Sequence, residues 1–420
     1  MTIFRPSRRN ALIGGAAAAG TLALRPLLQE AGLMAAEDDV VAQPTASAAR
    51  RGVDPQKVFQ RALDEALDNG ELGLQIAVYK DGKEVVNVWG GHLDEAKSRK
   101  IAPNSLFNTF SVCKAWTNTC LHLQAERGLV DYNKPVSHYW PEFAQNGKEK
   151  TTVRHILSHQ GGLPLMPEGV TPEKMADFDW MVQQLAAMKP LYEAGTKNGY
   201  HSYTQGWLVA EIVRRTDPAK RDFNRFLQEE ICQPLGIKDM WLGVPASAEP
   251  RVSTLYGKGG SAGSDNEMMV KSMPVAVETS PAVWGKSVVR RSCIPGAGGI
   301  TCAGDHVKFW AMLAGGGQLN GVRLLSPERV RSFSYPRPSN PEPDFVLGRP
   351  LAISTLGYWL RGSGSAVGSG PHMICQTGAG NNIGWADPDL NLAVTIAHNR
   401  FGGAYSEPLS NAVQRAFGAV

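Results

Sequence analysis

The chain has 420 residues, of which 43% are hydrophobic and 20% charged, and its formal net charge is +4. These values are ordinary for a soluble globular protein, and the length suits one large catalytic unit with two lobes. Four arginines but only one glutamate lie in residues 1–36, so the remainder is nearly neutral. It therefore offers no basic surface for binding nucleic acid.

The N-terminal segment has the features of an export signal. The paired residues Arg8 and Arg9 precede an apolar run, rich in alanine and glycine, from Ala11 to Leu24. That run is too short to span a bilayer stably, and the arrangement resembles a twin-arginine signal. We therefore expect residues 1–50 to be signal and linker, and the mature protein to be periplasmic or secreted without a membrane span. A mitochondrial presequence, which is also arginine-rich and acid-poor, is the alternative.

The first elements after this segment are a helix and a hairpin. Apolar residues at helical spacing predict a helix over 54–69 that ends at Gly70. Alternating apolar and polar residues in 74–79 and 85–89 flank Asp81-Gly82. This combination is the strongest short-range signal for a β-hairpin.

The C-terminal region again predicts strands, at 373–377 and 392–397, followed by a helix from Ser406 to about Phe417. Strands near both chain ends predict one sheet built from the two ends, with a helical insertion between them. The predicted lobes are an α/β sheet lobe of residues 51–110 plus 286–420 and a helical lobe of residues 111–285.

Ser111 and Lys114 form the first candidate catalytic pair. Apolar residues recur at helical spacing after Ser111, and Gly128 stands where a C-cap is expected, so Ser111 belongs at the first turn of a long, largely buried helix. Lys114 then lies one turn away on the same face. A partly desolvated lysine has a lowered pKa and can accept the proton of a serine nucleophile. The alternative is a helix N-cap serine beside a surface lysine.

Three further motifs follow in order: Thr152 to Pro164, Gly199 to Leu208, and Gln376-Thr377-Gly378-Ala379-Gly380. With the Ser111 motif, this set resembles the class C β-lactamase-like serine hydrolases, most closely their esterase branch, the family VIII carboxylesterases. The resemblance runs from about Val58 to Arg400. It implies an α/β fold, in which an antiparallel sheet flanked by helices is joined to a mostly helical lobe.

The resemblance also assigns roles. Tyr200 matches the tyrosine that works with the lysine as general base, and a nearby ammonium is expected to lower the pKa of its phenol. Tyr203 is the alternative for this role. The substrate-binding residues implied are Gln376, Thr377, Gly378, Ala379 and Ser202, with the backbone N–H groups of Ser111 and Ala379 forming an oxyanion hole. His155 and His159 are expected to belong to a structural turn.

Two positions depart from the β-lactamase pattern. Gln376 stands where those enzymes carry a lysine that binds the substrate carboxylate, and Ser202 stands where an asparagine is usual. Both departures favour neutral esters. The predicted function is therefore cleavage of small carboxylic esters through an acyl-serine intermediate. The alternatives are a β-lactamase or D-amino peptidase with the same catalytic set, and a catalytically idle relative that binds partners or forms filaments.

The remaining motifs imply no metal or organic cofactor. Residues 259–263 fit the G-x-S-x-G pattern around Ser261, but no hydrophobic strand precedes them and no helix follows, so they predict a glycine-rich loop. The six cysteines lack metal-binding spacing and read as small buried hydrophobic residues. One disulfide stays possible, and the oligomeric state is open.

Overall fold

The structure, a computed structural model, describes residues 52–257, 259, 264–360, 370–401 and 406–418. The predicted export signal, Ser261 and almost all of the glycine-rich stretch at 362–370 lie outside these residues. Within the described part of the chain, no helix combines the length and the apolar character that crossing a membrane requires.

The main sheet has six antiparallel strands in the order β2-β1-β11-β10-β9-β8, and a smaller sheet has the order β3-β5-β4. Strands β6 and β7 form a separate short hairpin. The strand bounds are β1 (Gly73–Lys80), β2 (Lys83–Gly91), β3 (Phe107–Phe110), β4 (Met240–Leu242), β5 (Gly299–Thr301), β6 (Gln318–Leu319), β7 (Val322–Arg323), β8 (Trp359–Leu360), β9 (Ile374–Thr377), β10 (Ile383–Asp387) and β11 (Leu392–His398).

Helices flank the main sheet, and nine of the thirteen α-helices in the described part of the chain, α2 to α10, lie between β3 and β5. Their bounds are α1 (Pro55–Asp68), α2 (Cys113–Glu126), α3 (Val153–Leu157), α4 (Pro172–Ala176), α5 (Phe178–Ala187), α6 (Thr204–Thr216), α7 (Phe223–Leu227), α8 (Glu267–Ser272), α9 (Pro281–Trp284), α10 (Ser287–Arg290), α11 (Ala303–Ala314), α12 (Pro327–Ser332) and α13 (Ser406–Phe417). The predicted α/β fold with an antiparallel sheet is confirmed.

The main sheet is built from both ends of the chain, as predicted. The hairpin turn has Asp81 at φ +52° and Gly82 at φ +72°, the left-handed pair that a two-residue turn between twisted strands requires. Helices α1 and α13 cover one face of the sheet, and α11 covers the other. Every residue of β1 is buried because both faces are covered.

Strand β10 was not among the predicted strands, because it is short and lies between two pairs of turn-forming residues, Asn381-Asn382 and Pro388-Asp389. Within this strand, Gly384 permits a close approach of α11. A Cβ added there would lie 1.9 Å from the indole Nε1 of Trp310. The boundary between the two predicted lobes stays a prediction; β4, inside the predicted helical lobe, pairs with β5.

Helix α2 is the central helix that the Ser111 motif predicted. All residues from Cys113 to Ala125 are buried, so the helix is enclosed on every side. As predicted, Gly128 caps its C-terminal end, with φ +73°. The N–H of Gly128 donates to the carbonyl of Ala125 (3.1 Å) and that of Leu129 to the carbonyl of Gln124 (2.9 Å). This bonding is a Schellman motif, which satisfies two of the terminal carbonyls.

Candidate active site

Ser111 lies in the tight connection between β3 and α2. It is partly exposed, whereas Val112 and the helix that follows are buried. The helix begins at Cys113, two residues after Ser111, and Ser111 accepts the Lys114 backbone N–H through its carbonyl at 3.0 Å. The prediction that Ser111 stands in the first turn of the helix is therefore two residues off, because Ser111 and Val112 form the turn that joins β3 to α2.

Phe110, directly before Ser111, holds the connection in an unusual conformation. Its φ is +52°, a region that bulky residues rarely occupy unless packing enforces it. Its ring is buried against Trp284 (5.3 Å between centroids) and Phe401 (5.5 Å). This packing fixes the direction in which the chain presents Ser111.

The Lys114 ammonium is fully buried and contacts three oxygen atoms. Its Nζ lies 3.1 Å from Ser111 Oγ, 2.6 Å from the carbonyl oxygen of Ser202 and 2.5 Å from that of Gly296. Burial lowers the pKa of Lys114 to about 7, because desolvation disfavours the charged form. The neutral amine donates two protons to the two carbonyls, which leaves its lone pair for the proton of Ser111.

Tyr200 is also buried, and its hydroxyl interacts with the side chain of Ser111. Burial raises the pKa of Tyr200 well above its usual value, and the interaction with Ser111 opposes this only in part. The expectation that the lysine lowers the pKa of this phenol is therefore wrong, since desolvation dominates. Lys114 is the group that is partly deprotonated near neutral pH, and Tyr200 carries its proton.

The backbone around Tyr200 is held by two buried side chains. The Gly199 N–H donates to the carbonyl of His159 and the His201 N–H donates to His159 Nδ1, both at 3.0 Å. The His159 ring also packs on that of Tyr200, with 4.7 Å between centroids. Asp344 Oδ1 accepts the Tyr200 N–H at 3.0 Å. These contacts fit the predicted structural role of His159, and Asp344 was not recognised from the sequence.

The alternative tyrosine points elsewhere. The hydroxyl of Tyr203 donates to the carbonyl of Val277 at 3.0 Å. His155 forms a capping box with Thr152 at the start of α3, which agrees with a structural role. Of the two tyrosines, the structure therefore brings only Tyr200 to the Ser111 hydroxyl.

The opposite wall of the site is the end of β9 and the loop that follows. Gly378 lies against the connection that carries Ser111, since a Cβ added to it would lie 2.0 Å from the carbonyl oxygen of Thr109. Thr377, Gly378 and Ala379 are partly exposed. Neither the Ser111 N–H nor the Ala379 N–H donates to another residue that the structure describes. Both are therefore available to an oxyanion.

The two remaining predicted substrate residues are buried. Gln376 is fully buried, its Nε2 donates weakly to the carbonyl of Thr377 (3.4 Å), and its Oε1 has no partner within the described residues. The Ser202 hydroxyl bonds to that of Ser272 (3.2 Å), and its carbonyl accepts from Lys114. Their roles in binding substrate stay predictions.

A group of potential metal ligands, Asp239, Cys302 and Asp305, lies within the described ranges. Its carboxylates are already engaged, since Asp239 binds Arg251 and Asp305 binds Lys308. All six cysteines are free, so the disulfide left open by the sequence is not formed in this structure.

Comparisons with known proteins agree with the predicted resemblance. The family model described as Beta-lactamase matches residues 57–418. The protein "Esterase/beta-lactamase LipL" of Mycobacterium tuberculosis (strain ATCC 25618 / H37Rv) is 33% identical over 345 residues, which cover 78% of this chain and 77% of that protein.

Solved structures share the fold. A family VIII carboxylesterase is 28% identical with a TM-score of 0.78, covering 86% of this chain and 98% of its own. A penicillin-binding protein homologue from Caulobacter crescentus is 30% identical with a TM-score of 0.77, covering 86% and 97%. The resemblance stated from the four sequence motifs is thus confirmed.

Proposed function

The chain belongs to the beta-lactamase family, and from that premise we propose that it is a serine hydrolase that cleaves small carboxylic esters through an acyl-Ser111 intermediate. The observation that carries the proposal is the contact of the partly exposed Ser111 hydroxyl with the buried Lys114 amine at 3.1 Å. The esterase names of the similar LipL and family VIII proteins support the choice of esters.

In the first half of the reaction, neutral Lys114 accepts the proton of Ser111 as Oγ attacks the ester carbonyl carbon. The carbonyl π electrons move to oxygen, and the N–H groups of Ser111 and Ala379 stabilise the resulting oxyanion. When the tetrahedral intermediate collapses, the bond to the alcohol oxygen breaks. That oxygen takes a proton from Tyr200, which recovers one from the Lys114 ammonium.

The second half releases the acid. A water molecule gives a proton to neutral Lys114 as its oxygen attacks the acyl carbon. Collapse of this second intermediate breaks the bond to Ser111 Oγ, which regains its proton from Lys114. The carboxylic acid leaves, and the site returns to its starting protonation state.

The preference for esters over β-lactams is a question of charge. A β-lactam brings a carboxylate into a partly desolvated site, where an unpaired charge is costly. Gln376 offers that carboxylate only a neutral hydrogen bond. β-Lactam hydrolysis is the second candidate function, because LipL carries both activities in its name.

Hydrolysis of p-nitrophenyl butyrate tests the proposal. We expect Ser111→Ala to abolish turnover and Ser261→Ala, the control in the predicted glycine-rich loop, to keep most of it. Full activity in the Ser111→Ala protein would contradict the assignment of the nucleophile and with it the proposed reaction.

We also propose that the chain is exported through the twin-arginine route, on the basis of Arg8 and Arg9 before the apolar run. Replacing both arginines with lysine is expected to leave the precursor in the cytoplasm, because a receptor reads the arginine pair. Cell fractionation with antibody detection is the measurement. Normal export of the double variant would exclude this route.

A further inference from the structure

Next to the β9–β10 loop, which carries the proposed oxyanion donor Ala379, lies a buried pair of ionisable side chains, Glu71 and His398. Both side chains are fully buried, and His398 Nδ1 lies 3.1 Å from Glu71 Oε2. The other ring nitrogen, His398 Nε2, lies 2.5 Å from the carbonyl oxygen of Gly380. Gly380 belongs to the β9–β10 loop, one residue after Ala379.

The partners of the His398 ring, Gly380 and Glu71, determine the position of one of its protons. A carbonyl oxygen only accepts, so His398 Nε2 carries a hydrogen and donates it to Gly380. Nδ1 then either donates to ionised Glu71 or accepts from protonated Glu71, and the pair is neutral overall in both cases. Neither arrangement removes the bond from Nε2 to Gly380.

The same histidine is connected to the strand that precedes Ser111. The backbone N–H of His398 donates to Asn382 Oδ1 at 2.9 Å. The Asn382 Nδ2 donates in turn to the carbonyl of Asn108, in β3, at 3.3 Å. Gly378 donates its N–H to the carbonyl of Asn382 at 2.7 Å. The loop is thus hydrogen-bonded at Gly378 and Gly380, on both sides of Ala379, and Asn382 links it to β3.

A simple fold-stabilising role accounts for only part of this arrangement. Glu71 lies three residues after the end of α1, where its N–H bonds to the carbonyl of Ala66 at 3.0 Å, and Arg400 donates to the carbonyl of Gly70. A carboxylate is unfavourable at a helix C-terminus and in a buried site unless it is paired. Pairing with His398 stabilises the Glu71 carboxylate in this position. That pairing does not require the second bond, from His398 Nε2 to Gly380.

We propose that Glu71 and His398 are positioning residues that hold the Gly378–Asn381 loop so that the Ala379 N–H faces the oxyanion formed at Ser111. This inference rests on the proposed acyl-serine reaction. The pair contacts neither substrate nor the reacting atoms. It acts by fixing Gly380, so its loss changes the stabilisation of the transition state more than the binding of the ester.

Replacing His398 by glutamine or by asparagine distinguishes the roles of its two ring nitrogens. The amide nitrogen of glutamine in His398→Gln reaches the place of Nε2 and keeps a donor for Gly380. That of asparagine in His398→Asn reaches only the place of Nδ1 and keeps the bond to Glu71. We expect His398→Asn to lower kcat about tenfold with KM nearly unchanged, a smaller loss than the complete removal of an oxyanion donor causes. His398→Gln is expected to stay close to wild type.

Phenylboronic acid supplies a readout that a general loss of stability does not produce. It forms a tetrahedral adduct with an active serine, and one oxygen of that adduct occupies the oxyanion position. Its inhibition constant should rise in His398→Asn by the same factor by which kcat/KM falls. Active enzyme is counted by fluorophosphonate titration. His306→Asn, a buried histidine of α11 that accepts a hydrogen bond from Trp310, is the matched control and should leave kcat unchanged.

A second variant keeps the test independent of whether His398→Asn folds. Asn382→Ser removes the link to Asn108 with His398 intact, and we expect the same joint loss of kcat and boronate affinity. Equal kcat and boronate affinity in His398→Asn and His398→Gln, or wild-type values in Asn382→Ser when His398→Asn does not fold, would overturn the positioning role. A wild-type protein that neither hydrolyses the ester nor binds the boronate would instead overturn the proposed function and, with it, this role.

Discussion

Lys114 and Lys148 are two buried lysines with similar surroundings and different third partners. Both side chains are fully buried, and each ammonium lies over an aromatic ring, that of Tyr200 at 5.1 Å and that of Phe143 at 5.2 Å. Burial lowers both pKa values, to about 7 for Lys114 and about 8 for Lys148.

The difference lies in the third oxygen partner. Lys148 Nζ donates to three backbone carbonyls, those of Gln145 (2.9 Å), Ala186 (3.0 Å) and Met188 (2.5 Å). Lys114 has two carbonyl partners, and its third partner is the Ser111 hydroxyl. Carbonyl oxygens can only accept hydrogen bonds, so the three carbonyls around Lys148 favour its protonated, cationic form. A hydroxyl can also donate, so the Lys114 site can exchange a proton.

Replacing each lysine by methionine tests this difference with the largest expected effect. Lys114→Met should lower kcat/KM about 10³- to 10⁴-fold, because the proton acceptor is lost. Lys148→Met should keep kcat within a few-fold and instead reduce the free energy of unfolding by about 1–3 kcal/mol, because buried carbonyls lose their donor. Ester hydrolysis and urea unfolding measure the two effects. Equal loss of activity in both variants would refute the distinction.

The two tyrosines give a second contrast of the same kind. Tyr200→Phe should reduce kcat about 10²- to 10³-fold, because it removes the proton donor to the leaving group. Tyr203→Phe loses only a bond to the carbonyl of Val277 and should stay within a few-fold of wild type. The comparison is made by steady-state kinetics on ethyl butyrate, whose alkoxide needs a proton to leave, whereas p-nitrophenolate departs as the anion. A reversed order would mean that Tyr203 is the functional residue.

The pH dependence follows from the lowered pKa of Lys114. Lys114 must be neutral to accept the Ser111 proton, so kcat/KM should rise about tenfold per pH unit below about pH 7 and level off above it. Tyr200 stays protonated in this range because burial raises its pKa. Lys148→Met should leave the midpoint unchanged. A profile that is flat between pH 5.5 and 8.5 would contradict the role of Lys114 as the base.

Much of the fold was predictable because its signals are local. The helix ending at Gly70, the Asp81-Gly82 hairpin and the helix after Ser406 each depend on neighbouring residues. The order of the four motifs was enough to bring Ser111, Lys114 and Tyr200 together.

The environment of Lys114 was not predictable. Its carbonyl partners belong to Ser202 and Gly296, 88 and 182 residues away in the chain, and a backbone carbonyl leaves no signature in the sequence. The direction of the Tyr200 pKa shift was missed for the same reason, since it depends on burial by distant segments. Lys148, beside Gly147 and Glu149, has nothing in its local sequence to mark it as buried.

The smallest effect that we expect is a change in substrate preference. Wild type should hydrolyse p-nitrophenyl butyrate with a higher kcat/KM than nitrocefin, and Gln376→Lys should narrow the gap about tenfold. The reason is that a charge-assisted bond to the β-lactam carboxylate contributes about 1–2 kcal/mol more than a neutral one. If wild type prefers nitrocefin, the β-lactamase alternative replaces the esterase. If Gln376→Lys does not raise kcat/KM for nitrocefin, the argument from charge is wrong.

The most direct test of the central claim, that neutral Lys114 activates Ser111, is the rate of fluorophosphonate labelling as a function of pH, with the modified residue located by peptide mass spectrometry. The account predicts a single adduct on Ser111, a rate that rises through about pH 7 in wild type and Lys148→Met, and almost no labelling in Lys114→Met. An adduct on another serine, or Ser111 labelling that is as fast without Lys114, would contradict it.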